Sequence, residues 1–290
     1  MDRLLARLEP LLGRCEGEPV ALDGGITNRN YRVRMGGSDY VVRRPGKDTR
    51  LLGIDRAVER EAAEAAHRAG VAPAVCAYVV DEDTLVTEFV DGRAMTPEGV
   101  RANLPRVARL LRAVHACAPL VATFSPYRVC ERYLETTRRR GGDIPERILV
   151  AADVAARIEA ALGTPQRLVL CHNDLLAGNF LDDGDRLWII DWEYAGMGDV
   201  WFDLGNISVN NDFSVDDDTA LIETYFAVCD EPRLARVRLM RAVSDWREAM
   251  WGVVQQTVSD LDFDFAAYAD AHVARMLDSD WEEWLDAATA

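Results

Sequence analysis

Strand-forming patterns crowd into the first 91 residues of this chain, and helical spacing governs most of the remaining sequence. That order constrains the fold strongly. A doubly wound α/β sheet needs strands and helices to alternate along the whole chain. Strands first and helices afterwards predict an α+β architecture of two lobes instead: a small β-rich lobe over 1–91 and a larger helical one over 92–290. Leu4, Leu5, Leu8, Leu11 and Leu12 repeat at helical spacing, which predicts a short amphipathic helix at the start. Asn30 to Met35 and Tyr40 to Arg44 are β-rich runs split by Gly36-Gly37-Ser38-Asp39, a hairpin signal. An Ala-rich helix is expected from Asp55 to Ala69, then strands over 75–80 and 84–90. Helices are expected over 97–116, 126–140, 145–163 and again from Asp216, with short strands at 167–171 and 187–191.

Composition narrows the partners. The 290 residues carry 33 Lys+Arg against 49 Asp+Glu, a net charge of −16. So acidic a surface repels phosphate backbones, which argues against nucleic acid and favours a small cation. Hydrophobic residues at 49% and charged ones at 28% are globular values. No apolar run approaches the roughly 18 residues that cross a bilayer, and the charged first residues do not read as a signal peptide. Six scattered cysteines without a C-x-x-C pair read as reduced thiols, so a cytoplasmic protein without membrane insertion is expected. His67, His115, His172 and His272 lie far apart in the chain, and no zinc-type cluster is predicted. Oligomeric state leaves no sequence signal.

The densest polar cluster lies between the two later strands: Cys171-His-Asn-Asp-Leu-Leu-Ala-Gly-Asn-Phe180, then Leu187-Trp-Ile-Ile-Asp-Trp-Glu-Tyr194. A loop leaving one apolar strand presents Asp174 and Asn179, and a second strand delivers Asp191 at its end. Mg²⁺ wants hard oxygen donors. Phosphoryl transfer needs a carboxylate to take the acceptor's hydroxyl proton and other oxygens to hold metal. The spacing H-x-D-x-x-x-x-N followed by I-D supplies those parts in one order.

Both halves together resemble the catalytic motif of the choline/ethanolamine kinases and of the aminoglycoside phosphotransferases, whose fold is protein-kinase-like. The resemblance implies ATP and Mg²⁺ as cofactors and transfer of the γ-phosphoryl group to the hydroxyl of a small cationic alcohol, choline foremost. Ethanolamine, thiamine or an aminoglycoside are the alternative acceptors, and an inactive nucleotide-binding protein is the rival of another class. Asp174 takes the catalytic role and Asn179 with Asp191 the metal. His172, Glu193, Asp203 and Asn206 are implied as support around them. A protein kinase is not indicated, because no A-P-E segment is evident.

The nucleotide clamp is expected in the first lobe. Gly24 and Gly25 let main-chain N–H groups approach phosphates, with Thr27 and Asn28 as further donors, while the G-x-x-x-x-G-K-[ST] motif is absent. Lys47 is the chain's one lysine and follows Pro45-Gly46, so Arg43 is expected to grip phosphate, as arginine does at this strand position in choline kinases. Glu59 matches the helix glutamate that orients it. Thr87-Glu-Phe-Val90 resembles the hinge whose backbone meets adenine, which places Glu88 and Phe89 at the base.

For the acceptor, Trp246 to Tyr268 resembles the choline kinase helix and following turn. Arg247, Trp251 and Gln255 fall on one helix face beside Glu248, whereas Val243, Trp246, Met250, Val254 and Leu261 form an apolar stripe. A quaternary ammonium is recognised by aromatic faces and nearby carboxylates. The resemblance implies Trp251, Phe265 and Tyr268 as its cage, with Tyr194 across the pocket and Glu248 and Gln255 alongside. Asn210 stands where eukaryotic choline kinases carry a glutamate, and Glu248 where they carry a second tryptophan. Asp260, Asp262, Asp264 and Asp270 would suit a polycationic aminoglycoside.

Overall fold

The computed structural model describes residues 1–22 and 28–290. The expected phosphate-loop residues Gly24, Gly25 and Thr27 lie outside the described residues. The chain begins with α1 (Asp2–Leu12), which buries Leu4, Leu5 and Leu8 and leaves Leu11 exposed. Five strands follow: β1 (Val20–Leu22), β2 (Asn28–Met35), β3 (Ser38–Pro45), β4 (Val75–Val79) and β5 (Thr84–Glu88). They form one antiparallel sheet in the order β1-β2-β3-β5-β4. The β2–β3 hairpin closes at Met35↔Ser38 over Gly36 and Gly37, whose φ values of 55° and 82° suit the tight turns that match strand twist. Gly36 is also required by packing, since a Cβ there would fall 2.4 Å from the Leu12 carbonyl oxygen. The register puts Val33, Met35, Val42 and Val86 on one face, against the leucines of α1.

Helix α2 (Arg56–Arg68) starts at Asp55, whose carboxylate accepts the N–H groups of Ala57 and Val58. Its alanines 62, 63, 65 and 66 leave this sheet core and pack with Val107, Leu111, Phe180 and Ile189 of the second half of the chain. A short β6 (Arg93–Ala94) pairs with β8 (Phe180–Asp182) and β8 with β9 (Leu187–Ile189), while β7 (Val169–Cys171) pairs with β10 (Gly196–Gly198). Those small sheets carry the loops of interest.

The rest is helical: α3 (Pro97–Ala102), α4 (Leu104–His115), α5 (Pro126–Arg139), α6 (Glu146–Leu162), α7 (Val200–Asn210), α8 (Val215–Phe226), α9 (Glu231–Val258), α10 (Phe265–Leu277) and α11 (Trp281–Thr289). The helix expected over 97–116 is two helices broken at Asn103, because Pro105 has no N–H to continue the ladder and disfavours helix before it. Helix α9 is the spine. It is buried without interruption from Ala242 to Gln255 and is flanked by α5, α7, α10 and α11. Val243, Trp246, Met250 and Val254 lie in its core as the spacing predicts. Leu261 does not: it lies beyond the helix end and is 51% exposed, because the apolar spacing runs on past Ser259 where the helix stops. None of the described helices is long and apolar enough to cross a membrane.

Candidate active site

The loop after β7 is shaped by a single buried carboxylate. Asp203, on α7, accepts the N–H of Asn173 at 2.7 Å and of His172 at 2.8 Å, and His115 Nε2 lies 3.0 Å from it. Asn206, one turn on, accepts the N–H of Leu175 at 2.6 Å and is itself held by Ser244. Asn173 has φ 65°, a left-handed conformation that asparagine tolerates better than most residues. His172 lies against Ile190 O at 3.0 Å, while its Nδ1 faces the N–H of Asp174 at 3.3 Å. That pattern fits the neutral ring with its proton on Nε2, and burial pushes its pKa down accordingly.

Asp174 is thereby presented at the loop's mouth. Asn179 donates from Nδ2 to the Asp174 carbonyl at 2.8 Å, a bond that leaves Oδ1 as the other end of the amide. The N–H of Ile190 donates to the main-chain carbonyl of Asn179 at 3.0 Å, so Asp191 follows directly beside it. Asp191 has φ 69° and receives Arg43 Nη1 at 2.6 Å. The three oxygen-bearing side chains are brought together by adjoining loops. Hard oxygen donors of this kind, an amide and a carboxylate beside a second carboxylate, fit a Mg²⁺ ion.

Charges are tightly arranged on the sheet side. The same Arg43 nitrogen donates to Glu59 at 2.8 Å, and Arg56 donates to Glu59 at 2.6 Å, to Glu193 at 3.2 Å and to Asn28 at 2.6 Å. Asn28 closes the ring by donating to Glu193 at 2.8 Å. Burial raises the Asp191 pKa, but the charge and hydrogen bond of Arg43 outweigh it and hold the group below the ordinary range. Glu193 moves the other way: burial, with Asp191 beside it, pushes it up to about 7. Asp174 is pushed up to about 8, burial again leading, against the pull of Arg247 and with Glu248 adding to the rise.

Next to this ring opens a cleft of about 370 Å³, lined by Val41, Ala72, Leu85 and Leu181 as apolar walls and by Arg43 and Asp191 at its charged end. Glu88 and Phe89 line it too. Their amides are engaged elsewhere, Glu88 N–H with Ala74 O at 2.9 Å and Phe89 N–H with Asp39 O at 3.1 Å.

On the far side of Asp174, α9 and α10 supply the acceptor candidates. Tyr194 accepts from Trp251 Nε1 at 3.1 Å, and Tyr268 donates to Glu248 at 2.7 Å. Trp251 meets Phe265 and Tyr268 edge-on, with centroids 5.7 and 5.6 Å apart. Gln255 lies apart from this group, in a separate cavity with Asn28, Lys47 and Asp260. Of the acidic residues after α9, Asp260 pairs with Lys47 at 2.7 Å, Asp270 with Arg147 at 2.7 Å, and Asp264 caps α10.

The chain matches the phosphotransferase enzyme family over residues 19–240. The chain belongs to that family. A choline/ethanolamine kinase family protein from Mesorhizobium loti is 31% identical, covers 99% of this chain and 98% of its own, and superposes with a TM-score of 0.84. Ethanolamine kinase 2 of Mus musculus is 28% identical over 92% of this chain and 77% of its own length. Choline kinase LicA from Streptococcus pneumoniae, at 22% identity and a TM-score of 0.79, covers 98% of both chains and shares the fold. The expected protein-kinase-like architecture, a sheet-rich first part and a mostly helical remainder, is the fold of this phosphotransferase.

Several residues of the site carried no assignment from the sequence. Arg56 sits in the ion ring yet reads as one more charge on a helix crowded with them. Asn30 lines the cleft with its Oδ1 buried and unpartnered among the described residues. His115, distant in the chain from the other histidines, lies with Cys171 and Asp203 in a buried cluster. The Asp203 oxygens already face two amides and an imidazole, so the cluster buttresses the loop.

Proposed function

We propose that this phosphotransferase moves the γ-phosphoryl group of ATP to the hydroxyl of a small amino alcohol, with choline the first candidate and ethanolamine the next. The observation that carries the reading is that Asp191 lines the charged end of the apolar cleft while backbone and amide hydrogen bonds hold the loop of Asp174 and Asn179 beside it. Residues 1–91 then serve as the nucleotide clamp and 92–290 as the catalytic and acceptor-binding part.

In this reading the base lies between Val41, Ala72, Leu85 and Leu181. The Glu88 and Phe89 amides are already bonded, so adenine is read by other main-chain atoms of this edge, the Val90 N–H being next in line. Phosphates are held by Arg43, oriented by Glu59; the Asn28 amide is spent on Arg56 and Glu193, and Gly24, Gly25 and Thr27 stay the further phosphate candidates of the sequence. Asn179 and Asp191 would hold Mg²⁺, which would supply neutralisation of phosphate oxygens. Asp174 receives the hydroxyl proton of the acceptor. Its raised pKa reflects desolvation, and a positive charge brought beside it favours the carboxylate that the step needs. His172, Asp203 and Asn206 fix the loop, and Glu193 fixes Asn28 and Arg56. In a loose transition state, positioning and charge neutralisation supply most of the rate. Glu248 and the aromatic group of Tyr194, Trp251, Phe265 and Tyr268 border the acceptor, with Gln255 at the neighbouring cavity.

The test is phosphorus NMR of the purified chain with ATP, Mg²⁺ and either choline or ethanolamine. A phosphomonoester signal that disappears on chelation of the metal supports the reading. ATP hydrolysis without acceptor phosphorylation refutes it.

A further inference from the structure

A further cavity of about 320 Å³ opens where α9 meets α7, α8, α10 and α11, and it shares no lining residue with the cleft of Arg43 and Asp191. That volume lies at the small end of ligand pockets. Val209, Phe213 and Trp284 give it apolar walls, and Arg238, Arg241 and Arg275 give it three guanidinium groups. On a chain of net charge −16, three arginines around one hollow are a local reversal of sign.

The state of each arginine decides what the hollow can take. Arg275 is engaged by Asp245, its Nε lying 2.9 and 2.8 Å from the two carboxylate oxygens. Asp245 is 2% exposed and also faces His272 Nδ1 at 2.8 Å, so the one carboxylate among the lining residues is already paired. Asp212, exposed nearby, acts on Arg275 more weakly than Asp245 does. Arg241 donates from Nη1 to the Phe213 carbonyl at 2.8 Å and to the buried Asp218 at 2.9 Å. Its Nε and Nη2 have no hydrogen-bond partner among the described residues. Arg238 has neither hydrogen bond nor ion pair among them, and its guanidinium carbon lies 5.7 Å from the centre of the Trp284 ring.

An unpaired guanidinium beside another that keeps two donors free is an arrangement suited to an oxyanion. The walls matter as much as the charge. Apolar surface around the arginines lowers the local dielectric and strengthens their pull on an anion. A bare inorganic ion would leave Phe213 and Trp284 uncovered, whereas a ligand with an apolar body would bury them.

We propose that this cavity is a second ligand site, for a small organic anion whose phosphate or carboxylate pairs with Arg238 and Arg241 and whose aromatic or branched body lies against Phe213 and Trp284. The proposal goes beyond the kinase reading, in which none of these residues has a role.

Calorimetry on the full chain tests it, with phenyl phosphate and benzoate as probes and benzyl alcohol as the uncharged control. ADP and Mg²⁺ are kept in excess, so that the cleft of Arg43 is filled. At least one of the two anions is expected to bind at one site per chain, at least about tenfold tighter than benzyl alcohol. Arg238→Ala is expected to weaken that binding about tenfold or more, as loss of a charged hydrogen bond does. Arg238→Gln, which keeps a polar stem and loses the charge, should behave alike. Arg233→Ala, on the same helix outside the cavity, should leave the affinity unchanged. Because Arg238 has no partner to lose, its variants are expected to keep the wild-type Tm. The proposal is overturned if wild type binds neither anion, a result that needs no variant. It is also overturned if benzyl alcohol binds as tightly, or if both Arg238 variants retain full affinity, which would place the probe elsewhere. Acceptor phosphorylation is not part of the readout, so the kinase reading stands or falls separately.

Discussion

Arg43 on β3 touches Asp191 at 2.6 Å across 148 positions of sequence. One guanidinium nitrogen thus ties the five-stranded sheet to the loop that carries the metal candidates, with Glu59 bracing it from α2. Removing it loses a charge-assisted contact and leaves burial of Asp191 opposed only by the weaker pull of His172 and Arg56. Arg43→Ala is expected to raise KM for ATP about tenfold or more, from the ~1.5–3 kcal/mol that a charged hydrogen bond contributes. Arg43→Lys should recover part of the loss, since a single ammonium cannot reproduce the fork. Steady-state kinetics with varied ATP measures this, and an unchanged KM in Arg43→Ala removes the residue from the nucleotide site.

Asp203 is the acceptor on which the catalytic loop hangs. Asp203→Ala leaves the amides of His172 and Asn173 buried without a partner, at about 1–3 kcal/mol for each group. Calorimetry should show a clearly lower Tm, and turnover should fall with it because Asp174 loses its fixed position. A variant as stable as wild type would contradict the buttress.

The crossing of α7 over α9 depends on Gly205. A Cβ at that position would fall 2.5 Å from Met240 main-chain and side-chain carbons, with no flexible tip to give way. Gly205→Ala is expected to destabilise by roughly 1–3 kcal/mol, the usual range for overpacking. Gly178→Ala is the control, because nothing lies within 4 Å of the added carbon. Urea unfolding of the two variants side by side distinguishes them, and equal midpoints would mean that α7 and α9 can separate freely.

These relationships differ in how far the sequence discloses them. Gly36-Gly37 between β-rich runs shows the hairpin directly, because a tight turn demands positive φ. The core face of α9 follows from spacing, yet the spacing cannot say that the helix stops at Val258, so Leu261 is misplaced. Pro105 carries the break at Asn103 plainly enough, but a continuous apolar pattern on either side conceals it. Asp174, Asn179 and Asp191 stand out by their spacing on two apolar strands. Arg247 does not: it sits on the helix face with Trp251 and Gln255, and only the packing of the Tyr194 segment against α9 places its guanidinium on that ring. Long-range partners of buried charges leave no local pattern, which is why Arg56 and His115 escape notice as well.

The pH dependence of stability follows from Asp174 and Glu193. Both have folded-state pKa values above the ordinary carboxylate range, at about 8 and about 7. Between their unfolded and folded values the folded chain binds more protons than the unfolded one, so stability falls as pH rises. The stabilising contribution is complete below about pH 4 and is lost by the time pH passes about 8. For the protein free of nucleotide and metal, Tm is expected to be lower at pH 8.5 than at pH 6, other groups held constant by comparison with Asp174→Asn. That variant should show a flatter profile. An identical slope in wild type and Asp174→Asn would show that this carboxyl does not titrate in the window.

The most direct test of the whole account is the turnover of Asp174→Asn with ATP, Mg²⁺ and whichever amino alcohol wild type phosphorylates, measured beside ADP binding by calorimetry. The side chain keeps its shape and loses its basicity. The expected result is a kcat lowered by about 10²–10⁴, the usual share of a general base, with ADP affinity retained. A variant that turns over at the wild-type rate would contradict the assignment of proton transfer to Asp174.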